Sequence, residues 1–352
     1  MTGPGKARRR DLAALPKAHL HTHFLGSARE STLDEIAHDE GVTLPDLTDF
    51  TDIGSFVSRY VEAEKVIQRP QDVERIIREI VEDAAADGVT YLEQSFNPNT
   101  YAHRFGMSAD ELFDLMDRTF QREGQRNGVT VRYMVTVNRG IAAEYLAEAA
   151  EFAVAHKNRN VVAFGYGGDE DLGDEVMTAA VDIARRGGLF IVPHAGETTG
   201  PRSVRDALEL HPRRIAHGIG ARADQALLRE LARRHVTLDM SPTSNVRMGA
   251  VKRIEDYPLR QFVDAGVPVT LNADDELFFG SSILQEYQLA RDVLGMDDDQ
   301  IAQIARNSFQ ASGAPRHVIH QALRSIDHWL HDVGPQERGV SARHPRPAFE
   351  LA

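Results

Sequence analysis

Two histidines one residue apart, His21 and His23, carry the strongest chemical signal in this chain, within the run Lys17-Ala-His-Leu-His-Thr-His-Phe. On an extended strand the side chains at i and i+2 point the same way, so both imidazoles can grip one metal ion. Other ionisable residues close later apolar runs: His194-Ala-Gly-Glu197, His217-Gly and Asn272-Ala-Asp274-Asp275. Packing alone does not ask for ionisable groups there. Three imidazoles and a carboxylate suit zinc, at ligand distances of about 2.0–2.2 Å with a place left open for water. A metal so held lowers the pKa of water toward about 7. A nearby carboxylic acid can protonate a ring nitrogen, and a histidine can orient or deprotonate the water. Glu197 and His217 fit these two roles.

Such residues need elements that bring them to one rim. Apolar runs rich in β-branched residues recur at 18–24, 89–96, 129–137, 161–164, 189–194, 214–217, 236–240 and 268–272, which reads as eight strands. Helical patterns lie between them; Val73, Ile76, Ile77, Ile80, Val81 and Ala84 form one apolar stripe at 3.6-residue spacing. Gly88, Gly128, Gly188 and Gly266 each stand just before a strand, as expected of left-handed caps ending a helix. Strand alternating with helix implies a parallel sheet. Eight repeats, with no Gly-x-Gly-x-x-Gly turn after an early strand, favour a closed (β/α)8 TIM barrel over a doubly wound sheet. In a barrel of this kind active sites lie at the C-terminal ends of the strands, where the ionisable residues stand. Residues 1–332 are expected to form one catalytic domain. The insertion 43–70 would roof the pocket with Phe56, Val57 and Tyr60, which share a helical face. Residues 333–352, rich in Pro, Arg and Gly, read as a flexible C-terminal tail.

Composition narrows the partner. The chain has 352 residues, 42% hydrophobic and 26% charged, a globular balance with material for a large core. Its net charge of −13 argues against nucleic acid or an anionic membrane and for a neutral or cationic small molecule. Without cysteine there are no disulfides or thiolate ligands, so His, Asp and Glu must hold any metal. The basic start (Lys6, Arg8, Arg9, Arg10) leads into no apolar signal segment, and no run is long enough to cross a membrane. A soluble, cytoplasmic protein is expected.

These motifs, in this order from about residue 15 to about 310, resemble the adenosine deaminase family of the amidohydrolase superfamily. The resemblance implies one zinc per chain on His21, His23, His194 and Asp274, with Glu197 protonating purine N1 and His217 steering hydroxide onto C6. It further implies that Asp275 hydrogen-bonds purine N7 and that the Gly168 N–H meets N3. Ser241-Pro-Thr-Ser-Asn245 is similar to the family's segment after strand seven. Asp239, where the family has Glu, is read as a partner that holds His217. His19 is read as a core residue or one supporting the ligands, while Asp169 and Glu170 are left out of the site as loop residues.

The chain departs from the family where substrate is chosen. It reads His23-Phe24-Leu25-Gly26 where the family continues Leu-Asp-Gly, and that Asp contacts the ribose 5′-hydroxyl. Leu25 cannot accept such a hydrogen bond, so the 5′ side is expected to be atypical. Gly165 and Glu276 likewise replace a usual Asp and Pro. The candidate substrates are adenosine or deoxyadenosine, a 5′-modified relative such as aminodeoxyfutalosine or methylthioadenosine, and free adenine. Two other readings are weaker. A binuclear amidohydrolase would want a bridging Lys or Glu at the end of strand four, which Val162-Ala-Phe-Gly-Tyr-Gly does not offer. A catalytically inactive binding barrel predicts a missing ligand or acid, and none is missing.

Overall fold

The computed structural model describes residues 9–97 and 99–331; Lys6, Arg8 and the segment 333–352 lie outside them. Eight strands form one sheet in sequence order, β1 (Lys17–His19), β2 (Val89–Phe96), β3 (Thr130–Asn138), β4 (Val161–Gly167), β5 (Phe190–Ala195), β6 (Arg214–His217), β7 (Thr237–Met240) and β8 (Val269–Leu271). Every pair of neighbours runs parallel. Helices intervene, giving the expected (β/α)8 barrel. The strands are almost wholly buried, which is why they read as continuous apolar runs rather than alternating ones.

β1 ends sooner than its apolar run suggested. Beyond His19 the backbone is taken over by a side chain: Asn272 Oδ1 accepts the N–H groups of Leu20 (2.9 Å) and His21 (3.1 Å). The chain resumes strand-like pairing only as single bridges, Thr22 with Asp274 and His23 with Ser95. The Asp274 N–H donates to the His21 carbonyl at 3.2 Å. These contacts close the barrel between β8 and β1.

The outer helices dock by the stripes read from sequence. In the helix Pro70–Ala86, Val73, Ile76, Ile77, Ile80 and Val81 are buried, and Asp72 accepts the Arg69 N–H at its start. Gly88, Gly128, Gly188 and Gly266 all adopt positive φ, between 72° and 81°. The helix Ile53–Glu64, inside the 43–70 segment, starts on Asp52, whose carboxylate accepts from the Ser55 N–H at 2.8 Å. Its Phe56 stacks on Phe279 and its Tyr60 on Phe278, both at 5.4 Å between centroids. That pins the helix across the mouth of the barrel.

The barrel interior holds a buried ion cluster. Arg214 on β6 donates to Glu93 on β2 (2.6 Å) and Asp239 on β7 (2.8 Å), all three side chains fully enclosed. Among the described residues no helix is long and apolar enough to cross a membrane.

Candidate active site

His21, His23, His194 and Asp274 meet at the C-terminal rim, with one ligand atom from each within 4.8 Å of the others. Asp274 Oδ1 lies 3.0 Å from His21 Nε2 and 3.2 Å from His23 Nε2. Its Oδ2 accepts from Ser244 Oγ at 2.7 Å. His194 Nδ1 lies 2.9 Å from the Tyr166 carbonyl, a contact made by a protonated Nδ1, so Nε2 keeps its lone pair. That lone pair faces His21 Nε2 at 3.1 Å. Three imidazole nitrogens and a carboxylate oxygen converging in this way form a donor set for a divalent cation, and this chemistry fits zinc.

The acid and the remaining histidine face this cluster. His217 Nε2 lies 3.5 Å from Glu197 Oε2 and 3.9 Å from Asp274 Oδ2. Burial lowers the His217 pKa to about 3, so the ring is neutral at physiological pH. Asn245 fixes its tautomer: Tyr257 donates its hydroxyl to Asn245 Oδ1 (3.0 Å), leaving Nδ2 to donate to His217 Nδ1 (3.0 Å). The ring proton therefore sits on Nε2, toward Glu197. Burial raises the Glu197 carboxyl well above the usual range, helped by the carboxylates of Asp274, Glu170 and Asp275. Glu197 thus retains a proton that it can donate.

Asp275 and Gly168 also line the cavity. Asp275 Oδ1 is buried without a partner, free for a ligand atom. Gly26 makes room for that carboxylate, since a Cβ there would stand 1.9 Å from Asp275 Oδ1. Gly168 turns at φ 82°, a conformation that favours glycine and bares its peptide to the cavity.

Leu25 is different. It is fully buried in the short turn Leu25–Ser27, where the Ser27 N–H returns to the His23 carbonyl at 2.9 Å. This tight turn carries the side chain into the core, and the residue exposed on the cavity wall is Phe24. The apolar character read from Leu25 is therefore delivered by its neighbour.

Asp239 does not reach His217, because Arg214 and Thr270 occupy its two oxygens at 2.8 Å each. His19 Nε2 accepts the Ala273 N–H at 3.0 Å and so supports the loop that carries Asp274. Two supporting residues stand outside the sequence expectation, which sets Glu170 aside as a loop residue and does not include Arg139. Glu170 accepts the N–H groups of Glu197 (2.8 Å) and Thr199 (3.0 Å) and the Thr199 hydroxyl, anchoring the acid's loop. Arg139, stacked 4.7 Å over the Tyr166 ring, pairs with Asp174 and donates to the His194 carbonyl at 2.7 Å. Glu170 follows Gly168 by two residues, and that proximity was its available signal; Arg139 gave none.

The cavity opens to solvent and holds about 190 Å³ of water-accessible space, room for a small ligand. Phe56, Val57 and Tyr60 line it together with Asn97, Tyr101 and Asn138. Glu64, the last residue of the roof helix, also enters the wall, its carboxylate accepting from the Tyr101 hydroxyl at 3.4 Å. Burial raises the Glu64 carboxyl to about 7 against the pull of Arg104 and Tyr101.

Known proteins are similar to this chain in sequence and fold. A family model described as adenosine deaminase matches residues 16–329. A Streptomyces virginiae protein assigned as an adenosine/adenine deaminase is 40% identical over 334 residues, covering 91% of this chain and 98% of that one. An aminodeoxyfutalosine deaminase of Streptomyces coelicolor is 34% identical over 313 residues, covering 86% of this chain and 81% of that one. The crystal structure of an adenine deaminase from Arthrobacter aurescens superposes with a TM-score of 0.84 at 26% identity, covering 90% of this chain and 100% of that one.

Proposed function

Because this chain belongs to the adenosine deaminase family, whose members hydrolyse C–N bonds, we propose that it uses one zinc ion to remove the 6-amino group of an adenine-type nucleoside, adenosine or deoxyadenosine, as ammonia. The barrel and its 43–70 roof act as one catalytic domain in this reading. The observation that carries it is the convergence of His21, His23, His194 and Asp274 in the cavity that Glu197, His217 and Asp275 also line.

Zinc on those four side chains would serve as a Lewis acid and make hydroxide accessible near neutral pH. The protein's own groups do the rest. Glu197 gives its proton to purine N1, drawing electrons from C6 as water adds there. His217, neutral and protonated on Nε2, holds the attacking oxygen against C6. Asp275 hydrogen-bonds N7 and the Gly168 N–H meets N3, so the ring lies with C6 toward the histidines. As the C6–N bond breaks, the proton of the new C6 hydroxyl passes to the amino group, which leaves as ammonia; the 6-oxo purine keeps the proton on N1, and the other proton of the water restores Glu197. These contacts favour the tetrahedral species over the flat substrate, as differential binding requires.

The test is a panel of adenosine, deoxyadenosine, methylthioadenosine, aminodeoxyfutalosine and adenine, given to zinc-loaded protein and followed by the absorbance change from adenine to hypoxanthine. Turnover is expected on adenosine and deoxyadenosine. Unchanged spectra across the whole panel would sink the reading.

A further inference from the structure

The acidic side chains that line the cavity among the described residues are Glu64, Glu197, Asp274 and Asp275; no lysine or arginine joins them. Three of these carboxylates sit at the strand ends, with the histidines. Glu64 alone comes from the helix Ile53–Glu64 rather than from the strand ends that carry the histidines. Arg104, whose charge acts on Glu64, does not line the cavity: it donates to the backbone carbonyls of Glu64 (2.6 Å) and Ile67 (2.8 Å) and lies 5.7 Å from the Tyr101 ring centroid.

We infer that Glu64 determines specificity at the N9 side of the substrate, selecting an uncharged, hydroxyl-bearing group such as ribose over one that ends in phosphate or carboxylate. The inference rests on the deaminase reading for the orientation of the ring. A carboxylate accepts hydrogen bonds from sugar hydroxyls and rewards them as charge-assisted bonds. An anionic group in the same place would lose its hydration without gaining a cation, beside a like charge. Asn97, Asn138 and Thr100, which also line the cavity, offer neutral hydrogen bonds that suit a sugar and do not neutralise a phosphate.

Product binding at about pH 8, above the value of about 7 to which burial lifts the Glu64 carboxyl, tests this with the carboxylate ionised and without relying on turnover. Inosine, inosine 5′-monophosphate and hypoxanthine would be titrated calorimetrically into the zinc-loaded full chain and into its Glu64→Gln and Glu64→Lys variants. Like-charge juxtaposition costs several kcal/mol, so the native protein should bind inosine about 100-fold or more tighter than its monophosphate. Glu64→Gln should narrow that ratio by about tenfold, and Glu64→Lys should narrow it further by tightening the monophosphate. Hypoxanthine, which carries nothing at N9, should bind all three proteins alike.

Equal affinity of native protein for inosine and its monophosphate, absent inosine binding, or a ratio unmoved by both substitutions would each overturn the inference. The two readings fail separately. The expected binding pattern without turnover of any 6-aminopurine would remove the deaminase assignment and leave Glu64 its role. Turnover of adenosine with no discrimination would do the reverse.

Discussion

His217 and Asp274 adopt φ values of 64° and 66°, a region that L-residues other than glycine rarely enter. Such backbone costs about 1–3 kcal/mol per residue and persists where surrounding contacts over-determine it. Here the contacts are visible: Asn245 grips the His217 ring, and Ser244 and the His21 carbonyl hold Asp274. The strain aims both side chains at one point. Glu197 is the residue whose chemistry is easiest to isolate, since it stands beside the four-residue cluster and is not one of its members. Glu197→Gln keeps its size and removes its acidic proton. Turnover should fall by about 10²–10⁴-fold, the range of general acid catalysis, while zinc content measured by atomic absorption stays at one per chain. Turnover within a few-fold of native would take N1 protonation away from Glu197.

At the scale of elements, the seam between β8 and β1 decides where the first two histidines stand. One side-chain oxygen, Asn272 Oδ1, serves both the Leu20 and His21 N–H groups. Asn272→Ala would strand two buried donors, at about 1–3 kcal/mol each. Chemical denaturation should show that loss, and zinc affinity should fall with it, because the backbone that presents His21 loses its anchor. Retained zinc affinity in a destabilised variant would mean that the seam stabilises the barrel without aiming the ligand.

A second element, the helix Ile283–Asp292, buries Glu286 completely. Burial lifts its carboxyl to about 7 from 4.5, and Oε1 has no partner. The folded protein therefore binds more protons than the unfolded chain between these values, so this group's stabilising contribution is complete below about 4.5 and disappears as pH rises toward 7. Glu286→Gln should remove that slope. The melting temperature of the variant relative to native should climb between about pH 5 and pH 7.5; a difference that stays constant with pH would show that Glu286 does not titrate there.

Across the whole molecule, the proposed ligands come from the ends of three strands: His21 and His23 follow β1, His194 lies on β5 and Asp274 follows β8. A bound metal would tie the first, middle and last parts of the barrel together. Chelation should then abolish activity and lower the melting temperature, with stability recovering on added zinc as the logarithm of one plus its concentration over its dissociation constant. A melting temperature indifferent to chelator would argue against a metal held between those strands. Much of this arrangement was legible in one dimension. Strand runs, helix stripes and glycine stops depend on local sterics and burial, which leave a period in the sequence, and the ionisable residues stood out because each ended an apolar run. The sequence alone therefore determined the barrel, its alternation, and which histidines and acids share a rim. Partners reached across the sheet leave no such period. That Asn245 rather than Asp239 holds His217, that Phe24 rather than Leu25 meets the cavity, and that Glu170 and Arg139 brace the site were decided only by tertiary structure. Each depends on which side chain from a distant strand already occupies the neighbouring atoms, as Arg214 occupies Asp239.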